Sequence, residues 1–191
     1  MTADKRAAME AATVVMTSRE RLDNTLRLWP YMVPLFVVFY SEYVIQSGVW
    51  SAMGFPPSDE DSRAKFYAFA NWCYQGGVLV SRSSGTLFKA SMELLWFMPL
   101  VQAGFLVFFV LDAYFLFWNA WTLLPVCFAV GLIGGAVYVQ GFARMAENVP
   151  SHLKEFSLGA ASVADSFGTT LATVTGIFVQ KAIYDYHNLS D

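Results

Sequence analysis

Two carboxylates lie deep inside apolar stretches of this chain, and they are the residues best placed to carry chemistry. Glu42 belongs to FYSEYVIQSGVW, with Gln46 one helical turn later, and Asp165 belongs to GAASVADSFG. A charged side chain near the centre of a bilayer costs a few kcal/mol even on insertion scales. Each carboxylate therefore needs a cation, a water-filled cavity or a bound proton.

The cation that best suits these carboxylates is Arg82, which ends the aromatic-rich stretch KFYAFANWCYQGGVLVSRSSG. Asn71, Gln75, Val78 and Arg82 are separated by 4, 3 and 4 residues, so on a helix they share one face. Lipid tails cannot satisfy such a polar stripe, which must face other helices or water. We expect the stripe and the carboxylates to line a path for a small organic solute and for protons. The candidate path residues are Glu42, Gln46, Asn71, Gln75, Arg82 and Asp165.

Each of these residues also has a structural interpretation. Local hydrogen bonds can satisfy Glu42 and Asp165, which then only fix the packing of helices. Arg82 can be a boundary residue whose long side chain reaches the membrane interface, or it can bind an anionic group with the help of the serines around it. The sequence leaves these alternatives open.

The composition places these residues in a membrane protein. Hydrophobic residues make up 56% of the chain and charged residues 14%, whereas soluble domains have about 45–50% and about 25%. A surface with so little charge fits a lipid bilayer. The net charge of −3 argues against a nucleic-acid partner.

Hydropathy predicts an all-α membrane protein with about five transmembrane helices. The expected spans are residues 29–53, 66–82, 93–111, 121–142 and 156–183. The third span is apolar apart from Gln102. Polar loops are expected at 54–65 and 143–155, and a short aromatic connection at 112–121.

Glycines in the last two spans are predicted to pack helices against each other. Gly131 and Gly135 form a G-x-x-x-G pair, with Gly134 beside them, and Gly168 lies in the small, hydroxylated fifth span. Small residues at this spacing let two helix backbones approach closely.

The flanking segments predict an orientation. Residues 1–28 form a polar arm, expected to be mostly solvated, and residues 184–191 form a short tail. With the arm in the cytosol, all but Arg63, Lys65 and Lys181 of the 12 Lys and Arg residues lie on the cytosolic side. The tail is then lumenal and carries a glycosylation sequon at Asn188.

No pattern of an enzyme or a metal site is present in the sequence. There is no nucleophile elbow, zinc-protease motif or P-loop, and the two histidines and two cysteines have no metal-ligand spacing. We expect no catalytic residue, no metal and no cofactor.

Four blocks of the chain carry a resemblance to a known family. FYSEYVIQSGVW, CYQGGVLVSRSS, GLIGGAVYVQGF and EFSLGAASVADSFGTTLATVTG resemble the C-terminal half of the battenin family, the lysosomal membrane proteins of Batten disease. The resemblance covers about residues 29–179. The matched positions are Glu42, Tyr74, Gln75, Gly77, Val78, Ser81, Arg82, Ser83, Ser84, Gly134, Gly135, Tyr138, Glu155, Phe156 and Asp165.

The resemblance implies a polytopic, major-facilitator-like α-helical protein of lysosomal or vacuolar membranes. That family is linked to lysosomal pH homeostasis, to transport of basic amino acids into vacuoles and to clearance of glycerophosphodiesters. It is not enzymatic, so the resemblance implies no catalytic role for any matched residue.

The length of the chain departs from the family pattern. Members have about eleven spans, of which the first six have no counterpart here, and major-facilitator transport needs two halves that rock around a midplane site. The chain is therefore expected to be a truncated reading of a longer gene or to pair with a second subunit. Two functions are expected: half of a secondary transporter, or a membrane adaptor that acts through protein partners bound to residues 1–28 and 143–155.

Overall fold

The computed structural model describes residues 16–83, 85 and 89–189, and this part of the chain is helical and contains no strand. Its α-helices are α1 (Ser18–Arg27), α2 (Trp29–Val44), α3 (Glu60–Ser83), α4 (Met92–Phe115), α5 (Ala120–Asn148) and α6 (Lys154–Tyr186). Helix α2 continues through a π-helical turn, Ile45–Val49, and a 3-10 turn, Trp50–Ala52. A further 3-10 turn, Ser151–Leu153, precedes α6.

Short polar side chains define where several helices begin. Ser91 Oγ accepts the Leu94 amide at 3.1 Å at the start of α4, and Asn119 Oδ1 accepts the Thr122 amide at 3.1 Å at the start of α5. These caps satisfy backbone N–H groups that have no partner within the helix. Leu116, with φ of 49°, ends α4.

Helix α2 lies at the centre of the bundle. It packs against α4, α5 and α6, whereas α3 packs outside this group, mainly against α5. Leu35, Val38 and Ile45 of α2 and its continuation are fully buried. The first apolar span of the sequence is therefore the core around which the other helices assemble.

Contacts between α2 and its neighbours fix their relative directions. Leu35 packs over Gly141 and Glu42 over Gly134, so α5 runs antiparallel to α2. Phe36 lies against Gly168, and Gly48 against Gly176, so α6 runs parallel to α2.

Helices α3 and α4 complete an alternating pattern. Trp29 meets Trp96 at 5.6 Å and Trp50 meets Phe109 at 5.4 Å between ring centres, so α4 is parallel to α2. Tyr74 lies against Gly131 and Ser81 against Gly135, so α3 is parallel to α5. Successive long helices thus run up and down through the bundle.

The α3–α4 connection is fixed to α5 through both backbone groups of Ala90. Its amide donates to Gln140 Oε1 at 2.9 Å, and its carbonyl accepts from Arg144 Nε at 2.6 Å. Lys89 and Glu147 form an exposed ion pair beside this contact. These two hydrogen bonds, one buried and one partly buried, stabilise the connection more than the ion pair, because exposed pairs contribute little.

Among the described residues, three helices are long and apolar enough to cross a membrane, namely Trp29–Ala52, Met92–Phe115 and Ala120–Asn148. The prediction of an all-α membrane protein is confirmed, and the number of about five spans is not. Helices α3 and α6 are also long, at 24 and 33 residues, but the polar stripe of α3 and the hydroxyl groups of α6 lower their hydropathy.

Several predicted boundaries differ from the observed helices, because polar residues extend helices beyond the apolar stretch. Helix α3 begins at Glu60 rather than at 66, and its first turn carries Glu60 and Asp61, which the helix dipole favours there. Helix α5 continues to Asn148, so residues 143–148 are not loop as predicted. Likewise α4 extends to Phe115, and α6 extends into the predicted tail as far as Tyr186.

The predicted solvated arm contains a helix in its described part. In α1, Thr17 accepts the Glu20 amide at 3.3 Å and Glu20 accepts the Thr17 amide at 2.8 Å, a reciprocal cap at the start of the helix. The Thr17 amide and the Thr17 hydroxyl both donate to the Glu20 carboxylate, and these two hydrogen bonds hold the pKa of Glu20 below its usual value. Residues 1–15 of the arm lie outside the described residues.

Candidate functional site

Glu42 is a buried carboxylate on the central helix. Only 1% of its surface is exposed, and its Oε2 atom has no hydrogen-bond partner among the described residues. The carboxylate packs directly against Gly134 of α5, where a Cβ atom would collide with it. The absence of a side chain at Gly134 therefore provides the space in which the carboxylate lies.

Arg82 lies at the end of α3, and its charge acts on this carboxylate. Its guanidinium stands over the ring of Tyr138 at 4.4 Å from the ring centre, a cation–π contact. Tyr138 is one turn beyond Gly134 on α5, and its ring meets Phe39 of α2 edge-on at 6.0 Å. Helix α5 thus presents space for Glu42 and an aromatic platform for Arg82 on adjacent turns.

Asp165 brings a third charged side chain from α6. Arg82 and Asp165 are the charged groups whose fields reach Glu42, and Arg82 is also the charged group that acts on Asp165. Glu42 is buried, Asp165 is half-buried and Arg82 is exposed. Three different helices therefore contribute to one cluster of interacting charges, in which no ion pair within 4.0 Å joins two of the groups among the described residues.

The other candidate path residues lie at varying distances from this charge cluster of Glu42, Arg82 and Asp165. Gln46 follows Glu42 by one turn, and its Nε2 atom is buried without a partner in the described part. Asn71 donates to the Tyr67 carbonyl of its own helix at 2.8 Å, and Gln75 is exposed. Asn71 and Gln75 precede Arg82 by about three and two turns, so the structure does not place them in the charge cluster.

The serines next to Arg82 do not act as one group. Ser81 is buried against Gly135, and its hydroxyl donates to the Val78 carbonyl at 3.1 Å. Ser83 is exposed, and Ser84 lies outside the described residues. Within the described part, Ser81 belongs to the contact between α3 and α5.

The predicted packing glycines all lie at helix contacts. Gly131 faces the Tyr74 carbonyl, and Gly135 faces Ser81 and Val78, so both contact α3. Gly168 faces the backbone of α2 at Phe36 and Tyr40. Gly134 differs from the other three, because its neighbour is the carboxylate of Glu42 rather than a backbone.

The charge cluster combines one cation with two carboxylates at different depths. Removal of a proton or of an anionic ligand changes the balance of charge there, since among the described residues Arg82 is the cation that acts on both acids. Such an arrangement can couple two events. The buried carboxylate can exchange a proton, and the exposed guanidinium can bind an anion. Among the described residues, no group of three or more His, Cys, Asp and Glu could hold a metal ion.

Gln102 and Asp112 were not predicted as functional, yet each is buried and has a side-chain atom without a partner among the described residues. Gln102 of α4 is fully buried, and neither atom of its side-chain amide has a partner in the described part. Asp112 is also fully buried, but its Oδ1 accepts the Trp118 amide at 2.9 Å, so it supports the turn after α4. The sequence signal for Gln102 was its position as the one polar residue in the middle of the third span.

These features define the class of the protein as an α-helical membrane protein of several spans with a charge cluster at its central helix. The chain belongs to the CLN3 protein family, because the model of that family matches residues 1–186. The predicted battenin resemblance is confirmed.

Curated relatives agree with this family. Protein BTN1 of Eremothecium gossypii is 33% identical over 86% of this chain and 43% of its own length. Protein BTN1 of Chaetomium globosum is 39% identical over 80% of this chain and 33% of its own, and that of Saccharomyces cerevisiae is 31% identical over 95% and 48%. The chain thus spans about a third to a half of these relatives. No solved structure gives a significant match.

Proposed function

We propose that the chain is half of a proton-coupled secondary transporter of the lysosomal or vacuolar membrane. The observation that carries the proposal is the buried carboxylate of Glu42 on the central helix, which packs against Gly134 and on which the charges of Arg82 and Asp165 act. Ionisable residues inside membrane bundles commonly mark paths for solutes and protons. In this proposal Glu42 accepts the proton and Arg82 binds an anionic group of the solute.

The proposed bundle has five spans, with the N-terminus cytosolic and the C-terminus lumenal. The alternating directions of α2 to α6 support five crossings, since α3 and α6 run alongside the three apolar helices. At about 1.5 Å per residue, α3 and α6 rise about 36 Å and 50 Å, which exceeds a hydrocarbon core of about 30 Å. Both helices expose large apolar side chains, such as Trp72 and Leu79 on α3 and Phe167 and Phe178 on α6.

The solute is proposed to be a small organic molecule with a charged group, such as a glycerophosphodiester or a basic amino acid. The exposed guanidinium of Arg82 suits a phosphodiester or a carboxylate. The half-buried Asp165 suits the amino group of a basic amino acid. A transporter of this kind needs a second half to close the cavity, so we propose that a further half or subunit pairs with this bundle. Such transport would contribute to pH homeostasis of the organelle.

Flux in reconstituted vesicles that contain a complete transporter tests the proposal. We expect Glu42→Gln to remove the dependence of flux on the proton gradient, and Arg82→Ala to reduce the apparent affinity for an anionic solute. Matched controls are Glu155→Gln and Lys181→Ala, which alter exposed charges on α6. If the two cluster variants show the same flux and pH profile as the controls, the assignment of the site is wrong.

The alternative function is a non-transporting adaptor that regulates lysosomal trafficking and pH through protein partners. The observation that favours it is α1, which buries none of its residues and leaves Leu22 and Leu26 about 60% exposed. The second proposed surface, 143–155, is less accessible, because Arg144 and Glu147 are engaged by the α3–α4 connection. Under this alternative, replacement of Leu22 and Leu26 by serine should abolish the regulation of lysosomal trafficking and pH in cells. Under the transporter proposal, the same replacement should leave that regulation intact.

A further inference from the structure

Buried polar atoms without partners follow one another along the second half of α2 and its continuation. Glu42 Oε2, Gln46 Nε2 and Trp50 Nε1 are all buried and have no hydrogen-bond partner among the described residues. They are spaced four residues apart, so each lies about one turn beyond the last. One acceptor and two donors are therefore arranged along the central helix.

A further buried polar side chain lies on α4, which packs against α2 and its π-helical turn. Gln102 is fully buried, and both atoms of its amide lack partners in the described part of the chain. Gln102 precedes Phe109 by seven residues, which places both on one face of α4. Because Phe109 packs on Trp50 at 5.4 Å, that face is the one turned toward α2.

The position of Gln102 along the bundle axis also matches the position of the unpartnered polar atoms on α2. It lies about 10 Å before Phe109, while Glu42 lies about 12 Å before Trp50, at about 1.5 Å per residue along parallel helices. Gln102 is therefore level with Glu42 and Gln46. The π-helical turn at Ile45–Val49 lies between Glu42 and Trp50, and such turns often occur at functional sites.

The five buried polar atoms without partners on Glu42, Gln46, Trp50 and Gln102 would be destabilising, because each loses its hydrogen bonds to water on burial. Ordered water satisfies such groups in protein interiors, typically with about three hydrogen bonds for each molecule. The donors and acceptors here are complementary to water, because a carboxylate accepts, an indole donates and amides do both.

We propose that ordered water molecules form a hydrogen-bonded track from Glu42 past Gln46 and Gln102 to Trp50, and that this track brings protons to Glu42. The proton role rests on the transporter function proposed above. Arg82 and Tyr138 lie toward the N-terminal end of α2, whereas Trp50 lies at its opposite end. Protons and solute thus approach Glu42 from opposite sides.

The charges and the proton balance agree with this arrangement. The charged groups that act on Glu42 are Arg82 from α3 and Asp165 from α6, while Gln102 of α4 and Gly134 of α5 are neutral. Each transfer along the track forms one O–H bond and breaks another, so the net change is one proton bound to the Glu42 carboxylate. No other reactant is required.

Hydroxyl-radical labelling of the purified chain in lipid nanodiscs tests the track without any transport measurement. Radicals generated from bound water oxidise adjacent side chains, so we expect Trp50 to be labelled although it is fully buried. Met145 is the control, because it is also fully buried but belongs to the apolar cluster around Leu35 rather than to the cluster that contains Trp50. Labelling of Trp50 that is as low as that of Met145 in the unmodified chain would overturn the proposal.

A double variant, Gln46→Leu with Gln102→Leu, then tests the role of the two amides. We expect it to abolish labelling of Trp50, and persistence of the label would show that the amides do not hold the water. The comparison of Trp50 with Met145 in the unmodified chain remains decisive if this variant does not fold.

The proton role needs a separate measurement in the flux assay of a complete transporter. Trp50→Phe keeps the aromatic contact with Phe109 and removes the indole donor, so it should slow the proton-dependent part of the flux. Trp96→Phe, at a partly exposed tryptophan on α4, is the matched control. An unchanged pH profile in Trp50→Phe would exclude proton transfer along the track even if the water is present.

Discussion

The close contact between α3 and α5 gives the sharpest test of the fold. In Gly131→Ala, the added Cβ would overlap the Tyr74 carbonyl and lie 3.1 Å from the Val78 amide nitrogen. Both neighbours are backbone atoms, so the whole of α3 must move away. Overpacking of this kind costs about 1–3 kcal/mol, partly offset by about 1 kcal/mol of gain in helix propensity.

Gly104→Ala is a matched control on α4. A Cβ there meets no atom within 4 Å, so only the gain in helix propensity of about 0.5–1 kcal/mol applies. We expect Gly131→Ala to be less stable than Gly104→Ala by about 2 kcal/mol, or about thirtyfold in the unfolding equilibrium. Reversible unfolding in mixed detergent and SDS micelles, followed by tryptophan fluorescence, measures this difference. Equal stability of the two variants would refute the close approach of α3 and α5.

Gly77 lies on the opposite side of the same contact and extends the test. Its added Cβ would overlap the Phe128 carbonyl and lie 2.8 Å from the Leu132 amide nitrogen. Since one outward movement of α3 relieves both clashes, Gly77→Ala combined with Gly131→Ala should cost less than the sum of the single variants. Additive effects would show that the two glycines do not share a contact.

Two further predictions concern hydrogen bonds outside the charge cluster. Asp112→Leu should cost about 1–3 kcal/mol in the same unfolding assay, because it leaves the Trp118 amide without its acceptor, whereas Asp112→Asn keeps an acceptor and should cost less. In α1, the pKa of Glu20 is lowered by hydrogen bonds from Thr17, so its cap is present above the ordinary pKa and is lost as the pH falls through the lowered one. The protection factors of the α1 amides, which correct for the intrinsic pH dependence of exchange, should therefore fall at acid pH. Thr17→Val loses the hydroxyl but keeps the backbone amide that donates to Glu20, so it should lower the protection and reduce its pH dependence without removing it.

Hydropathy predicted the positions of the long helices but not all of their ends. The apolar stretches correspond to the parts of α2 to α6 that pack together or face outward. The ends were missed where charged residues continue the helix, as at Glu60 and Glu147, because a backbone hydrogen bond does not depend on the polarity of the side chain. The alternation of helix directions, in contrast, follows from short connections between long helices.

The candidate site was predictable from residue types only in part. Glu42, Asp165 and Arg82 were identified because ionisable residues are rare in apolar stretches, and their fields do reach one another. The stripe of Asn71 and Gln75 shares a helix face with Arg82, but periodicity describes one helix and does not say which neighbour covers that face. On α5, Gly134 contacts Glu42 and Tyr138 contacts Arg82. These contacts depend on the register between the helices, which the sequence pattern of one helix does not specify.

Because of this register, a substitution at Gly134 can distinguish an effect on helix packing from an effect on proton coupling. A Cβ at Gly134 would collide with the carboxylate of Glu42, which is the far end of a flexible side chain and can turn away, whereas a Cβ at Gly131 meets rigid backbone. Gly134→Ala should therefore unfold at nearly the same SDS concentration as the unmodified chain and yet change the pH dependence of flux, because the carboxylate no longer lies where the fields of Arg82 and Asp165 reach it. Gly131→Ala should show the opposite pattern, with lower stability and an unchanged pH profile in the fraction that remains folded. If Gly134→Ala retains both the stability and the pH profile of the unmodified protein, the position of Glu42 against α5 has no part in proton coupling.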